Sequence, residues 1–497
     1  MKPLLAPAGL SRRRFLRSAA AASAAFAGLA RFDAAAAASS GASGGAPVAP
    51  GFGPLLPDPD GILDLPEGFT YSILSRAGQV MDDGLLLPGA PDGMAAFAGE
   101  NGRVILVRNH ELQNAPAGRG AFGWRRELVG RVPADRLYDP GAPGGPGLPS
   151  PRPGLGGCTT LVYDPATGQA EHQHLSLAGT ERNCAGGPTP WGSWITCEES
   201  VGSAGEDHRG VDHGYNFEVP ADPASGLAAP VPLRAMGRFN HEAVAVEPKS
   251  GIVYQTEDRQ DGVFTRFLPD EPGNLAAGGR LQALAVVGRP SLDTRNWEAN
   301  GAEAQAGGAF QAASEDAAGR ALGLNEAVEA RWIDLDGVDT PADDLRYRAF
   351  AAGAARFARA EGIWHSDDGV FVACTTGGRE RIGQVFRYVP SRFEGRLEEA
   401  RFPGRLELFL EPNDHTLVKN ADNLTIHPDG HLVVCEDAGA GNRLVGVTPD
   451  GLLYPLGRNA LSGSEFAGSC FSPDGTTLFV NLQGDGLTLA IRGFAAA

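Results

Sequence analysis

At 497 residues the chain is long enough for a large core, and its 69 Gly and 37 Pro fall between apolar runs, which favours many short strands and long loops over helices. The formal net charge of −18 becomes −23 once the first 40 residues are set aside, because 36 Lys and Arg then stand against 59 Asp and Glu. Such a surface repels nucleic acid and anionic lipid, and with no apolar run of about 18 residues after the N-terminus, no membrane span is expected.

The first element is a leader. Ser11-Arg12-Arg13-Arg14-Phe15-Leu16-Arg17 precedes an Ala-rich apolar stretch over 18–30 and a small-residue zone over 34–38, the pattern of a twin-arginine export signal spanning 1–40. It predicts recognition by the twin-arginine export machinery, passage of an already folded chain, and a periplasmic or secreted product. No Cys lies near the cleavage zone, which argues against a lipid anchor. Residues 41–60 read as a flexible linker and 61–497 as the folded domain.

Within that domain one design returns six times: an acid or thiol opening a strand, a Gly-containing turn, and an apolar strand ending in polar residues. In chain order these are Asp92 with VILVRNHE ending at Glu111, Cys184 with SWITCEE ending at Glu199, and Glu242 with IVYQTED ending at Asp258. Then come Glu361 with VFVACTT ending at Thr376, Asp422 with LVVCED ending at Asp437, and Glu465 with LFVNLQ ending at Gln483. Hairpin signals such as His427-Pro428-Asp429-Gly430 and Ser472-Pro473-Asp474-Gly475 sit between the paired strands. The repeat predicts an all-β, six-bladed β-propeller. Two long insertions interrupt it. One, at about 112–157, is rich in Pro and Gly and is expected over one end of the propeller; the other, at about 269–357, holds an Ala-, Glu- and Arg-rich stretch over 312–331 that reads as one or two helices.

In a closed propeller the first strand of each blade lines the channel, so Asp92, Cys184, Glu242, Glu361, Asp422 and Glu465 would converge at one mouth. A lone acid at a strand edge is an ordinary solvated residue, whereas six in register form a ligand ring. Five carboxylates so close cannot all stay ionised without cations, and a hard divalent or trivalent metal is the simplest counter-charge. Calcium prefers oxygen alone, so the thiol among them points to a transition metal beside any calcium. The ends of the second strands add Asn109 and Glu111, Glu198 and Glu199, Glu257 and Asp258, and Glu436 and Asp437. Successive strand residues point to opposite faces, so at most one acid of each pair can face the axis.

The remaining thiols and rings read as core. Cys197, Cys374 and Cys435 occupy matching places in apolar strands, where Cys behaves as a small hydrophobe. Cys184 differs, because NCAGGPTPWG surrounds it with Gly and lets backbone come close to something bound. His110 and His241 are assigned to hydrogen bonding, and Trp191 and Trp194 to packing.

Segments RNCAGGPTPWGSWITCEES, FNHEAVAVEP, RFARAEGIW, ADNLTIHPDG and EFAGSCFSPDGTTLFVNLQ resemble the signature segments of the PhoX-type alkaline phosphatases, twin-arginine-exported six-bladed propellers, from about residue 60 to the C-terminus. The resemblance implies hydrolysis of phosphate monoesters at two ferric ions (Fe3+) and three calcium ions (Ca2+) around an oxo bridge. By motif it places Cys184, Glu199, Glu242 and Glu361 on iron, Asp258, Asp422 and Glu436 on calcium, and Arg359 on the phosphate of a small-molecule ester. Two places depart from the family pattern. Ala360 replaces a usual Pro between Arg359 and Glu361, and Gly484-Asp485 follows Gln483 where His-Pro is common, which bears on the channel rim. A calcium-dependent lactonase or phosphodiesterase, or a non-catalytic metal-binding propeller, would share the ring while dispensing with Cys184. A ring closed on itself is expected to act as a monomer.

Overall fold

The computed structural model describes residues 48–113, 119–143, 151–297 and 322–495. The export signal read over 1–40 lies outside the described residues. The chain divides into a short unit, Met1–Ala49, and a large one, Pro50–Ala497, and the large one is all β apart from 3-10 turns and one α-helix among the described residues, Leu345–Ala351. No helix among them is long and apolar enough to cross a membrane.

Six strands form the inside of a propeller-like ring: Pro91–Ala98, Asn183–Pro188, His241–Val246, Ala360–Ser366, Ala421–Ile426 and Phe466–Phe471. Each packs against the next in chain order, and the sixth returns to the first. From every inner strand the chain meanders outward through antiparallel neighbours, the local hairpins that the turn signals predict. Counted by innermost strand the ring has six parts. Counted by hydrogen-bonded sheet it has five, because Ala327–Asp334 bridges Gly279–Val286 of one part and Gly404–Leu410 of the next, fusing two meanders into nine strands.

That bridging strand corrects the reading of 312–331 as helix. Residues 312–321 lie outside the described residues, but Ala327–Asp334 is a strand in which Val328, Ala330 and Trp332 face the core while Glu329 and Arg331 alternate with them. Ala, Glu and Arg favour helix when nothing else decides. Here period-two burial between two waiting sheet edges overrides that weak preference. The stretch 269–357 is likewise less of an insertion than expected, since Gly279–Val286 is the fourth strand of its own meander. The sheet also begins before residue 61, with Leu55–Leu56 paired to Leu63–Pro66.

The ring is closed by the N-terminal part of the domain. Thr70–Arg76 pairs antiparallel with Leu487–Arg492, so strands from the two ends of the domain complete one meander. A shared apolar cluster that includes Leu478, Val480, Leu489, Ile491, Tyr71 and Ile73 holds this seam. The loop between Val104–His110 and Gly156–Asp164 packs Phe122, Val132 and Leu155 against Leu85, Leu87 and Leu175, outside the first meander. All six cysteines are free.

Candidate metal centre

Every inner strand breaks register with its hairpin partner near its start, between Pro91 and Met94, Asn183 and Gly186, His241 and Val244, Ala360 and Ile363, Ala421 and Leu424, and Ala467 and Cys470. In the first five, the residue after the last paired one is Asp92, Cys184, Glu242, Glu361 and Asp422. A bulge leaves its extra residue unpaired and re-aims the side chain, which is how five ligand-type groups come to leave the sheet. Hydrogen bonds from the preceding meander fix the bulged backbone. The Asn109 amide donates to the Cys184 and Ala185 carbonyls at 3.1 and 2.7 Å, the Thr256 hydroxyl to the Glu361 carbonyl at 2.7 Å, the Thr375 hydroxyl to the Ala421 carbonyl at 3.0 Å, and the Asn481 amide to the Asp92 carbonyl at 2.6 Å.

The sixth inner strand departs from this scheme and corrects the reading of Glu465. Gly468 occupies its bulge with φ +60, and a Cβ there would lie 2.0 Å from the Asp92 carbonyl oxygen, so no side chain fits. Glu465 stands ahead of the strand, where its carbonyl accepts the Gln483 amide at 3.4 Å. The same carbonyl position is filled by Arg182 opposite Glu199, and by Arg359 opposite Thr375. Glu465 nevertheless reaches the acids, from a different backbone position than the other five.

At the second-strand ends the later residue of each acidic pair turns to the channel and the earlier one is used inside its own meander. Glu198 accepts from His213 at 2.6 Å and from the Gly214 amide at 2.9 Å. Glu257 pairs with Arg346 at 3.4 Å, and Glu436 takes two guanidinium bonds from Arg443 at 2.9 and 2.5 Å. Glu199, Asp258 and Asp437 are the channel-facing members. The structure therefore brings Asp437, and not Glu436, to Asp422: Glu436 is two bonds deep in an ion pair on the other face of the strand.

Three groups of ligand atoms, each within 4.8 Å of one another, result: Asp92, Glu111 and Cys184; Cys184, Glu199 and Glu242; and Asp422, Asp437 and Glu465. Cys184 belongs to two of them. Glu361 and Asp258 fall in none of the three and are tied together by Arg359, which forks onto Asp258 at 2.8 and 3.1 Å and reaches Glu361 at 2.5 Å. Glu111 is the second-strand acid of the first repeat. Arg182, which the sequence reading passed over, is the counterpart of Arg359: it donates to Glu111 at 3.0 and 2.9 Å and also bonds Glu199. Both arginines have positive φ, 47 and 51, a conformation rarely adopted by residues with a Cβ. The signal was in the spacing, since Arg182 precedes Cys184 by two residues, as Arg359 precedes Glu361.

The electrostatics of the channel call for added positive charge. Burial, and then repulsion by its neighbours, pushes Glu199 up to about 8 and Asp422 up to about 7, while Glu465 is held up to about 10. Burial, reinforced by Asp258, Asp422 and Glu242, raises Glu361 well above the carboxylate range. The Cys184 thiol is raised by burial and by Asp92 and Glu242, so it becomes a thiolate only beside a cation. Glu242 Oε2 is buried with no hydrogen-bond partner, a lone acceptor aimed among carboxylates. Orphaned oxygen, shared sulfur and crowded acids fit a multi-metal centre with mixed oxygen and sulfur donors.

The other sequence-marked rings are accounted for by hydrogen bonds and packing. His110 lies between the Gly89 carbonyl and Thr159 at 3.0 and 2.9 Å, and His241 meets the Gly237 carbonyl at 3.0 Å. Trp194 is buried and donates to Asn109, while Trp191 donates to Glu218. Cys197, Cys374 and Cys435 are fully buried in their strands.

A comparison with curated protein sequences gives no match. Among solved structures the chain is similar to Pseudomonas fluorescens PhoX in complex with vanadate, a transition state analogue, at 18% identity and TM-score 0.60 over 88% of this chain and 97% of that one. Weaker likenesses include a gluconolactonase from Xanthomonas campestris, at 12% identity and TM-score 0.37 over 88% and 97% of the two chains. Another is virginiamycin B lyase from Staphylococcus aureus, at 10% identity and TM-score 0.36 over 85% and 99%. Residues 50–147 and 158–486 match the family model for alkaline phosphatase PhoX, and the chain belongs to that family, metal-dependent hydrolases of phosphate monoesters.

Proposed function

We propose that the protein is an exported phosphomonoesterase that works as a monomer, with ferric iron and calcium held by the channel acids and Cys184. The observation that carries this reading is Cys184 shared between two ligand groups, with the unpartnered Glu242 oxygen in one of them. Glu199 and Glu242 would hold iron with Cys184, and Glu361 lies close enough to feel Glu242. Asp422, Asp437 and Glu465 form an all-oxygen group suited to calcium, and Asp258, held by the Arg359 fork, would be a further oxygen donor. When bound, such cations neutralise phosphoryl oxygens and lower the barrier to phosphorus–oxygen cleavage.

The chain's own residues supply orientation and charge. Arg359 and Arg182, ahead of the fourth and second inner strands, present planar guanidinium forks in the channel, a shape matched to phosphate oxygens. In the structure both forks are engaged by carboxylates, and metal on those acids would leave the outer donors to the ester. Gln483 donates to Asp92 at 2.6 Å and to Glu111 at 2.9 Å, holding both acids at the mouth. The Arg12-Arg13-Arg14 leader supports export by the twin-arginine route to the periplasm or beyond.

The test is metal analysis by mass spectrometry and p-nitrophenyl phosphate hydrolysis on one sample purified under calcium. Iron near two atoms per chain, with calcium and turnover, is expected; Cys184→Ala and Glu361→Ala should each abolish phosphate release while far-UV circular dichroism stays unchanged. Full activity in either variant, or turnover without iron, would sink this assignment.

A further inference from the structure

Beside the metal centre, at the rim where the chain carries Gly484-Asp485 after Gln483, lies a cavity of about 430 Å3. Its lining includes Leu87, Gly89, Arg119, Trp124, Gly484 and Gly486. Two of these residues connect it to the channel. Gly89 accepts from His110, the residue before Glu111, and Gly484 follows Gln483, whose amide holds Asp92 and Glu111.

The chemistry of the lining is that of a slot for a flat ring. Trp124 lines the cavity yet is 68% exposed, so an indole face is left to solvent. The Arg119 stem lies against Gly89, where a Cβ would meet it at 3.0 Å, and its backbone carbonyl accepts the Gly89 amide at 2.8 Å. Its guanidinium reaches across to the Gly484 carbonyl at 3.4 Å, spanning the two rim loops. Indole and guanidinium planes both stack on aromatic rings, and the glycines keep the walls flat and open.

Resting on the phosphatase reading above, we propose that this cavity is the leaving-group subsite and that it takes the alcohol part of phosphate esters bearing a planar ring, such as aryl or nucleoside monophosphates. The phosphoryl group would lie on the metal side and the ring between Trp124 and Arg119. Esters of small aliphatic alcohols would leave the slot unfilled.

The experiment compares binding of phenylphosphonate and methylphosphonate to the metal-loaded full-length protein by calorimetry, since both carry the same non-hydrolysable phosphoryl anion and differ in the ring. Wild type should bind the phenyl compound about tenfold more tightly. Trp124→Ala should abolish that preference with methylphosphonate affinity unchanged, and Trp124→Phe should restore it. Equal affinity of wild type for the two compounds, or a preference that survives Trp124→Ala, would overturn the subsite alone. Binding of neither compound would remove the phosphatase reading and the subsite with it.

Discussion

The carboxylate of Glu436 accepts the Lys419 and Arg443 amides and two guanidinium bonds, while Asp437, one residue on, faces Asp422 and Glu465 across the channel. The two should respond oppositely to neutralisation. Glu436→Gln strips Arg443 of its counter-charge and is expected to cost about 3 kcal/mol of stability, read as a lower urea midpoint, with metal content unchanged. Asp437→Asn should leave the metal-free midpoint the same or higher, because it relieves repulsion, and should lower bound calcium by mass spectrometry. His241 tests burial at the same scale. Burial holds it down at about 3 against an ordinary 6.5, so the native chain resists a proton that the unfolded chain accepts. Its contribution is present above pH 6.5 and lost as pH falls toward 3. His241→Phe keeps the ring against Phe239, whose centroid is 3.6 Å away, and should flatten the loss of stability on acidification by up to about 1.4 kcal/mol per pH unit.

At the scale of elements, the ring depends on inner strands that touch backbone to backbone. Gly362 follows Glu361 in its bulge, and a Cβ there would lie 2.6 Å from the Leu424 amide and 2.8 Å from the Asp422 carbonyl. Gly362→Ala must push two inner strands apart and is expected to cost about 2 kcal/mol and to weaken metal binding together with stability. Gly130→Ala, in open space at negative φ, serves as the neutral control for the same denaturant titration. The order of acids along each strand was legible from the repeat, but which acid faces the channel was not. Alternation limits each pair to one channel-facing member, and the choice falls to whichever neighbour finds a cation at its back, the buried His213 and Arg346 or the half-buried Arg443.

For the whole molecule, the metal-free channel is a proton store. With Glu199 near 8, Asp422 near 7 and Glu465 near 10, the folded metal-free protein holds protons at pH 7 that its unfolded chain has released. These groups contribute stability below the ordinary carboxylate range, and it is lost as pH rises through those values, so the metal-free melting temperature should fall between pH 5 and pH 9. Metal loading at pH 7 should expel at least one proton per chain, measured by calorimetry in buffers of different ionisation enthalpy, and should flatten the pH dependence. A pH-independent melting temperature in chelated protein would contradict this picture of the channel.

The amino-acid sequence alone determined the all-β ring, the matching places of Cys184, Glu242 and Asp422 at the starts of inner strands, and the expectation of cations, because strand alternation, hairpin turns and charge repulsion are local or additive rules. The family resemblance singles out Arg359, and the two-residue spacing to a strand-opening ligand that Arg182 shares with it is also carried by the sequence. Only the tertiary structure decided the displacement of Glu465, the exchange of Glu436 for Asp437, the strand at Ala327–Asp334, and the closure by Thr70–Arg76. Three of these are settled by a partner distant in the chain, a carbonyl from the neighbouring inner strand or an open sheet edge waiting for a strand, and the exchange of Glu436 for Asp437 by the half-buried Arg443 on the next strand of the same meander.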